Sequence, residues 1–172
     1  VVIRIMLVDD HPLIREALAR LLSIERDLDV VGATGDAEEA VRMAGELRPD
    51  VVVMDVDLHG ADLKGVDGIS ATRALLAEHP AVKVVMLSAS CSPSLIRDSA
   101  EAGAWGYLLK GDPADQIPEG IRAAARGEHP MGVEVARLCR TMGEAGGTGP
   151  DALGVEAPSL WPRATPFQRQ TS

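Results

Sequence analysis

Val51-Val52-Val53-Met54-Asp55 runs on into Val56-Asp57-Leu58-His59-Gly60. Four apolar residues lead directly into an acid. A continuous apolar run of this length suits a strand buried on both faces of a parallel sheet. A carboxylate at its C-terminal end emerges at the sheet edge where open α/β folds place their ligands. The pattern occurs once earlier, where Ile3-Arg4-Ile5-Met6-Leu7-Val8 runs into Asp9-Asp10. Three acids at the ends of two apolar strands are the feature to explain.

Working outward, the spacing predicts strand–helix alternation five times over. Pro12 suits an early helical position, and Leu13, Ile14, Ala17, Leu18, Leu21 and Leu22 follow at helical spacing. Residues 28–33 read as a second strand. Asp36 with Glu39 resembles a capping box opening a helix that Pro49-Asp50 closes. A polar stretch follows the Val51 strand, with Gly60, Gly65 and Gly68, before a third helix that ends near His79-Pro80. Residues 82–87 form a fourth strand, and Ser92-Pro93 starts a fourth helix. Residues 106–109 form a fifth strand ending at Lys110. A fifth helix is expected over 114–126, its regular portion delayed to Pro118 by that proline and Gly120. The alternation implies a parallel sheet flanked by helices, with right-handed crossovers.

Composition narrows the function classes. The 172 residues hold one ordinary domain plus an extension. With one Phe, one Tyr and two Trp, the core must be filled by aliphatic side chains. The net charge of -9 argues against a nucleic-acid-binding surface, which needs a basic patch. Cys91 and Cys139 lie far apart without metal-ligand spacing, so a reduced, cytoplasmic setting is expected. No stretch is apolar enough to span a membrane, and the chain enters a strand at once without a signal peptide.

Converging carboxylates repel unless something neutralises them. A hard divalent cation such as Mg²⁺ does so with oxygen ligands. Ser88 after the fourth strand adds a hydroxyl and Lys110 after the fifth adds a cation. A carboxylate nucleophile attacking a phosphoryl group needs this set. Each alone has a plainer reading, Ser88 as a turn residue and Lys110 as a solvated charge. Their joint position at successive strand ends favours a site.

Val8-Asp9-Asp10-His11-Pro12-Leu13-Ile14-Arg15, Met54-Asp55, Leu87-Ser88-Ala89 and residues 103–110, Gly-Ala-Trp-Gly-Tyr-Leu-Leu-Lys, together resemble a response-regulator receiver domain of the NarL/FixJ (LuxR-type) subfamily. The resemblance covers residues 1–128 and implies a flavodoxin-like (CheY-like) doubly wound sheet of five parallel strands, order 2-1-3-4-5, with five flanking helices. It makes Asp55 the phosphoacceptor, with Lys110 and Ser88 as its catalytic partners. Asp9, Asp10, Asp55 and the backbone carbonyl of Asp57 become the Mg²⁺ ligands, and Ser88 with Tyr107 the switch pair. A sensor histidine kinase is the implied donor, and a homodimer or a changed partner contact the implied output. Activity is limited to self-phosphotransfer and autodephosphorylation.

The chain departs from that pattern in two places. Gly68 stands about five residues late by family spacing, leaving an insertion at residues 61–65 beside the site. An inserted surface loop is the plainer reading, and gating of Asp55 or kinase contact the sharper one. His59 and Asp57 add polar groups nearby. Beyond Gly127 the pattern fades. Residues 129–142 resemble a linker helix, and 143–172 read as a mostly disordered tail with Leu160-Trp161 as its docking point. No helix-turn-helix pattern follows, so direct DNA binding by this chain is not expected. Two rival readings stand beside the receiver. Met54-Asp55-Val56-Asp57 resembles the motif of haloacid-dehalogenase-type phosphatases, with Asp55 as nucleophile and Asp57 as acid, though there the motif belongs on the first strand. The other is a phosphorylation-independent binding module on the same fold.

Overall fold

A computed structural model describes residues 1–58 and 67–145, together with the backbone of a strand at 164–166. Five strand–helix units come first. They are β1 (Ile3–Val8), α1 (Pro12–Ser23), β2 (Leu28–Thr34), α2 (Ala37–Leu47), β3 (Val51–Asp55), α3 (Gly68–Glu78), β4 (Lys83–Ser88), α4 (Pro93–Glu101), β5 (Gly106–Leu109) and α5 (Gln116–Ala125). A short β6 (His129–Met131), α6 (Val133–Ala145) and β7 (Ala164–Pro166) follow. The sheet is parallel, in the order β2-β1-β3-β4-β5-β6-β7. The expected order 2-1-3-4-5 is therefore present, extended at one edge by β6 and β7.

Successive residues of a strand point to opposite faces, and β3 divides its side chains accordingly. Val52 and Met54 join Met6, Val8, Val84, Met86 and Tyr107 in a core covered by α2, α3, α4 and α6. Val51 and Val53 join Ile5, Leu7, Val85, Leu87 and Leu108 in a second core, covered by α1 and α5. All five residues of β3 are buried, which is why the four before Asp55 are all apolar rather than alternating.

The helix ends follow from local chemistry. Asp36 caps α2, its carboxylate accepting from the Glu39 N–H at 2.8 Å. The Glu39 side chain does not return to the Asp36 N–H as a full capping box would. It accepts from the Thr34 hydroxyl, which in turn accepts from the Asp36 N–H at 3.1 Å. Asp67 caps α3 in the same way through Ser70. α5 is not delayed to Pro118. It starts at Gln116, because Pro118 falls in the first turn, where its missing N–H has no intrahelical partner to lose. Gly103 ends α4 at φ 94, a left-handed conformation that favours glycine. The His59 and Gly60 positions, the insertion at 61–65, and the Leu160-Trp161 pair in the tail lie outside the described residues.

Candidate functional site

Register sets the site. Val8 pairs with Met54, Asp55 with Leu87, and Ser88 with Leu109. The residues following these pairs therefore emerge side by side at one sheet edge. Asp55 is 1% exposed and Asp9 2%. Lys110, on the turn after β5, reaches both, with its Nζ 2.8 Å from Asp9 Oδ2 and 3.2 Å from Asp55 Oδ2. The Lys110 N–H donates to the Ser88 carbonyl at 2.7 Å, which aims the side chain across the strand ends.

The acids differ in surroundings. Asp9 has both oxygens engaged, Oδ1 by the His11 backbone N–H at 2.8 Å and Oδ2 by Lys110. Asp55 Oδ1 accepts from the Asp57 N–H at 3.1 Å. Asp55 Oδ2 is buried and accepts no hydrogen bond, although the Lys110 ammonium stands beside it. Burial, and then the charge of Asp9, push the Asp55 carboxyl above its usual range, against the pull of Lys110. Burial alone would lower Lys110. The hydrogen bond to Asp9 and the charge of Asp55 outweigh it and hold the ammonium protonated.

Ligand atoms of Asp9, Asp10, His11 and Asp55 all lie within 4.8 Å of one another. Carboxylate oxygens, one of them buried without a hydrogen bond, are the donor chemistry that a hard divalent cation requires. The residues present thus fit Mg²⁺. Asp57 is exposed. Ser88 is fully buried, its Oγ accepting from the Ser90 N–H at 3.2 Å. Tyr107 is fully buried as well and donates its hydroxyl to the Ser90 carbonyl at 3.0 Å.

Two residues were not singled out in the sequence reading. His11 joins the cluster with its Nδ1 2.8 Å from Asp10 Oδ1. Arg15 donates to the Asp9 carbonyl at 2.5 Å and pins the turn from α1. Both lie in the Val8–Arg15 motif, but only His11 adjoins the acid pair.

The chain belongs to the family described as response regulator receiver domain, which matches residues 5–122. It is 39% identical over 134 residues to the transcriptional regulatory protein LiaR of Bacillus subtilis (strain 168), covering 78% of this chain and 61% of that protein. It is 34% identical over 135 residues to the response regulator GacA of Pseudomonas aeruginosa, again covering 78% and 61%. The chain thus spans about six-tenths of the length of these two relatives. Among solved structures, a LuxR-family two-component response regulator from Aurantimonas superposes with a TM-score of 0.77 at 33% identity, covering 83% of this chain and 98% of that one. The receiver domain of the putative response regulator NarL from Mycobacterium tuberculosis gives 0.67 at 29%, covering 74% and 98%. The fold is that of a CheY-like receiver of the NarL/LuxR type, and its acidic cluster suits Mg²⁺-dependent phosphoaspartate chemistry. The phosphatase reading falls with this, since Asp55 ends the third strand and Asp9 holds Lys110. Among the described residues no helix is long and apolar enough to cross a membrane.

Proposed function

We propose that this chain is the phosphoacceptor unit of a two-component system, with Asp55 taking a phosphoryl group from a sensor histidine kinase. The observation that carries the reading is a buried carboxylate with one oxygen free of hydrogen bonds, 3.2 Å from an ammonium and clustered with two further acids. In the transfer, a lone pair of ionised Asp55 attacks phosphorus and an O–P bond forms. The P–N bond to the donor's phosphohistidine breaks, and its electron pair leaves with the imidazole. Asp9, Asp10, Asp55 and the Asp57 carbonyl would hold a Mg²⁺ ion, which would supply positive charge toward the transferring oxygens. Lys110 supplies the second positive charge, and Asp9 fixes its position.

Ser88 reports the event. Its hydroxyl turns from Ser90 to donate to a phosphoryl oxygen, drawing the loop from residue 89 to 92 toward Asp55. Tyr107 holds that loop through the Ser90 carbonyl, so the loop and β5 move as one unit. The face they share then changes its contact with a partner or a second copy. In this reading residues 1–128 form the receiver, 129–142, packed against its sheet and core through β6 and α6, connect it to an output element, and 143–172 follow.

Intact mass after incubation with acetyl phosphate and Mg²⁺ tests the proposal. One phosphoryl group per wild-type chain and none in Asp55→Ala are expected. No gain in the wild type would leave a binding module that works without phosphorylation.

A further inference from the structure

We infer that His11 becomes a nitrogen ligand when a first-row transition ion enters this divalent-cation site, which gives the site a selectivity that an all-oxygen cluster lacks. The inference rests on the metal site proposed above and extends it to the class of ion accepted.

His11 occupies the cap position of α1 yet makes no side-chain capping bond. Ser, Asp or Asn there would contribute about 1 kcal/mol to the helix. The side chain turns instead to the acids. Its Nδ1 stands 2.8 Å from Asp10 Oδ1 and 3.4 Å from Asp9 Oδ1. The backbone holds it there. His11 donates its own N–H to Asp9 and precedes Pro12, which restricts it to the extended conformation observed, φ -86 and ψ 106. With metal–ligand bonds of about 2.1 Å, adjacent ligands of an octahedron stand about 3 Å apart and opposite ones about 4.2 Å. The four ligand atoms, all within 4.8 Å of one another, need only a small contraction to meet that. Asp55 belongs to the same cluster, and its Oδ2 is buried and accepts no hydrogen bond.

Carboxylate and carbonyl oxygens suit Mg²⁺, whereas an imidazole favours later first-row ions such as Co²⁺, Ni²⁺ and Zn²⁺. His11 is 63% exposed, so it swings onto an incoming ion without repacking the core. Binding of Mg²⁺ does not depend on it, but binding of a transition ion does.

The test is a titration of the full chain with MgCl₂ and, separately, with CoCl₂, whose visible absorption reports nitrogen ligation. His11→Gln removes the imidazole and preserves the backbone bond to Asp9. We expect His11→Gln to weaken Co²⁺ binding by about tenfold or more and to leave Mg²⁺ within about twofold. Asp10→Asn should weaken both ions. Equal Co²⁺ affinity in wild type and His11→Gln overturns the inference, as does a parallel loss of Mg²⁺. Co²⁺ binding that survives Asp10→Asn also overturns it, because the ion then sits elsewhere. Absence of Mg²⁺ binding in the wild type is a different result, sinking the proposed metal site itself.

Discussion

Asp55 and Asp57 stand two positions apart, and their surroundings set them apart more than their chemistry does. Asp55 is almost fully buried between Asp9 and Lys110, and its carboxyl is pushed up by burial. Asp57 presents its backbone N–H to Asp55. It is an exposed acid two residues from the proposed phosphoacceptor, and a charge that close acts on water attacking an aspartyl phosphate. Asp57→Asn is therefore expected to change the lifetime of the phosphorylated chain, measured as decay of its intact mass after the donor is removed. An unchanged lifetime would make Asp57 a spectator. At this scale the sequence was informative wherever a residue sits at a strand end. Asp9, Asp55, Ser88 and Lys110 all do, and strand ends are readable from apolar runs. His11 and Arg15 act from the turn and helix beyond the strand, where no periodicity marks a side chain that folds back.

At the scale of elements, α3 begins where it does because only glycine fits. A Cβ at Gly68 would overlap the Asp55 carbonyl oxygen and crowd the Val56 Cα. The obstacle is backbone on β3, which cannot give way without disturbing the phosphoacceptor. Gly68→Ala is expected to cost at least about 1–3 kcal/mol of stability through overpacking. Urea unfolding measures it, and a loss below about 0.5 kcal/mol would mean that the α3 entrance yields easily. The five strand–helix units were legible because each carries a period of its own. β6 was not, since three residues with Pro130 at their centre give no strand signal. Tertiary packing forms β6: Gly106 leaves room for Pro130, and the Gly132 N–H donates to the Tyr107 carbonyl at 3.1 Å. The early regular start of α5 is hidden in the sequence because a proline breaks a helix interior but not its first turn.

Across the whole molecule, one arginine ties distant parts of the chain. Arg122 on α5 reaches Glu25 at 2.6 Å and Asp27 at 2.7 Å, both ahead of β2, and Glu119 on its own helix. The hydrogen bond from Arg122 lowers the Asp27 carboxyl from 3.8 to about 2. A group lowered on folding adds stability above its unfolded value and loses it as pH falls through its folded one. Asp27 thus adds stability above pH 3.8 that vanishes on descent to about 2. Asp27→Asn should reduce stability at neutral pH and flatten the acid limb between those values. Urea midpoints collected against pH measure both effects, and matching acid limbs in the two proteins would show the bridge to be idle.

The extended sheet has a consequence for how the chain behaves at high concentration. An unpaired strand edge is a template on which other molecules add strands and aggregate. In the order observed, β6 covers β5, and β7 covers β6. Among the described residues, the outermost strand on that side is only three residues long and ends in Pro166, which offers no N–H. On the other side β2 shifts register between Ile5 and Met6 of its neighbour and exposes Asp29. Both flanks are thus poor docking surfaces for a growing fibril. A receiver whose proposed output is a change of partner would thereby be protected from irreversible self-stacking.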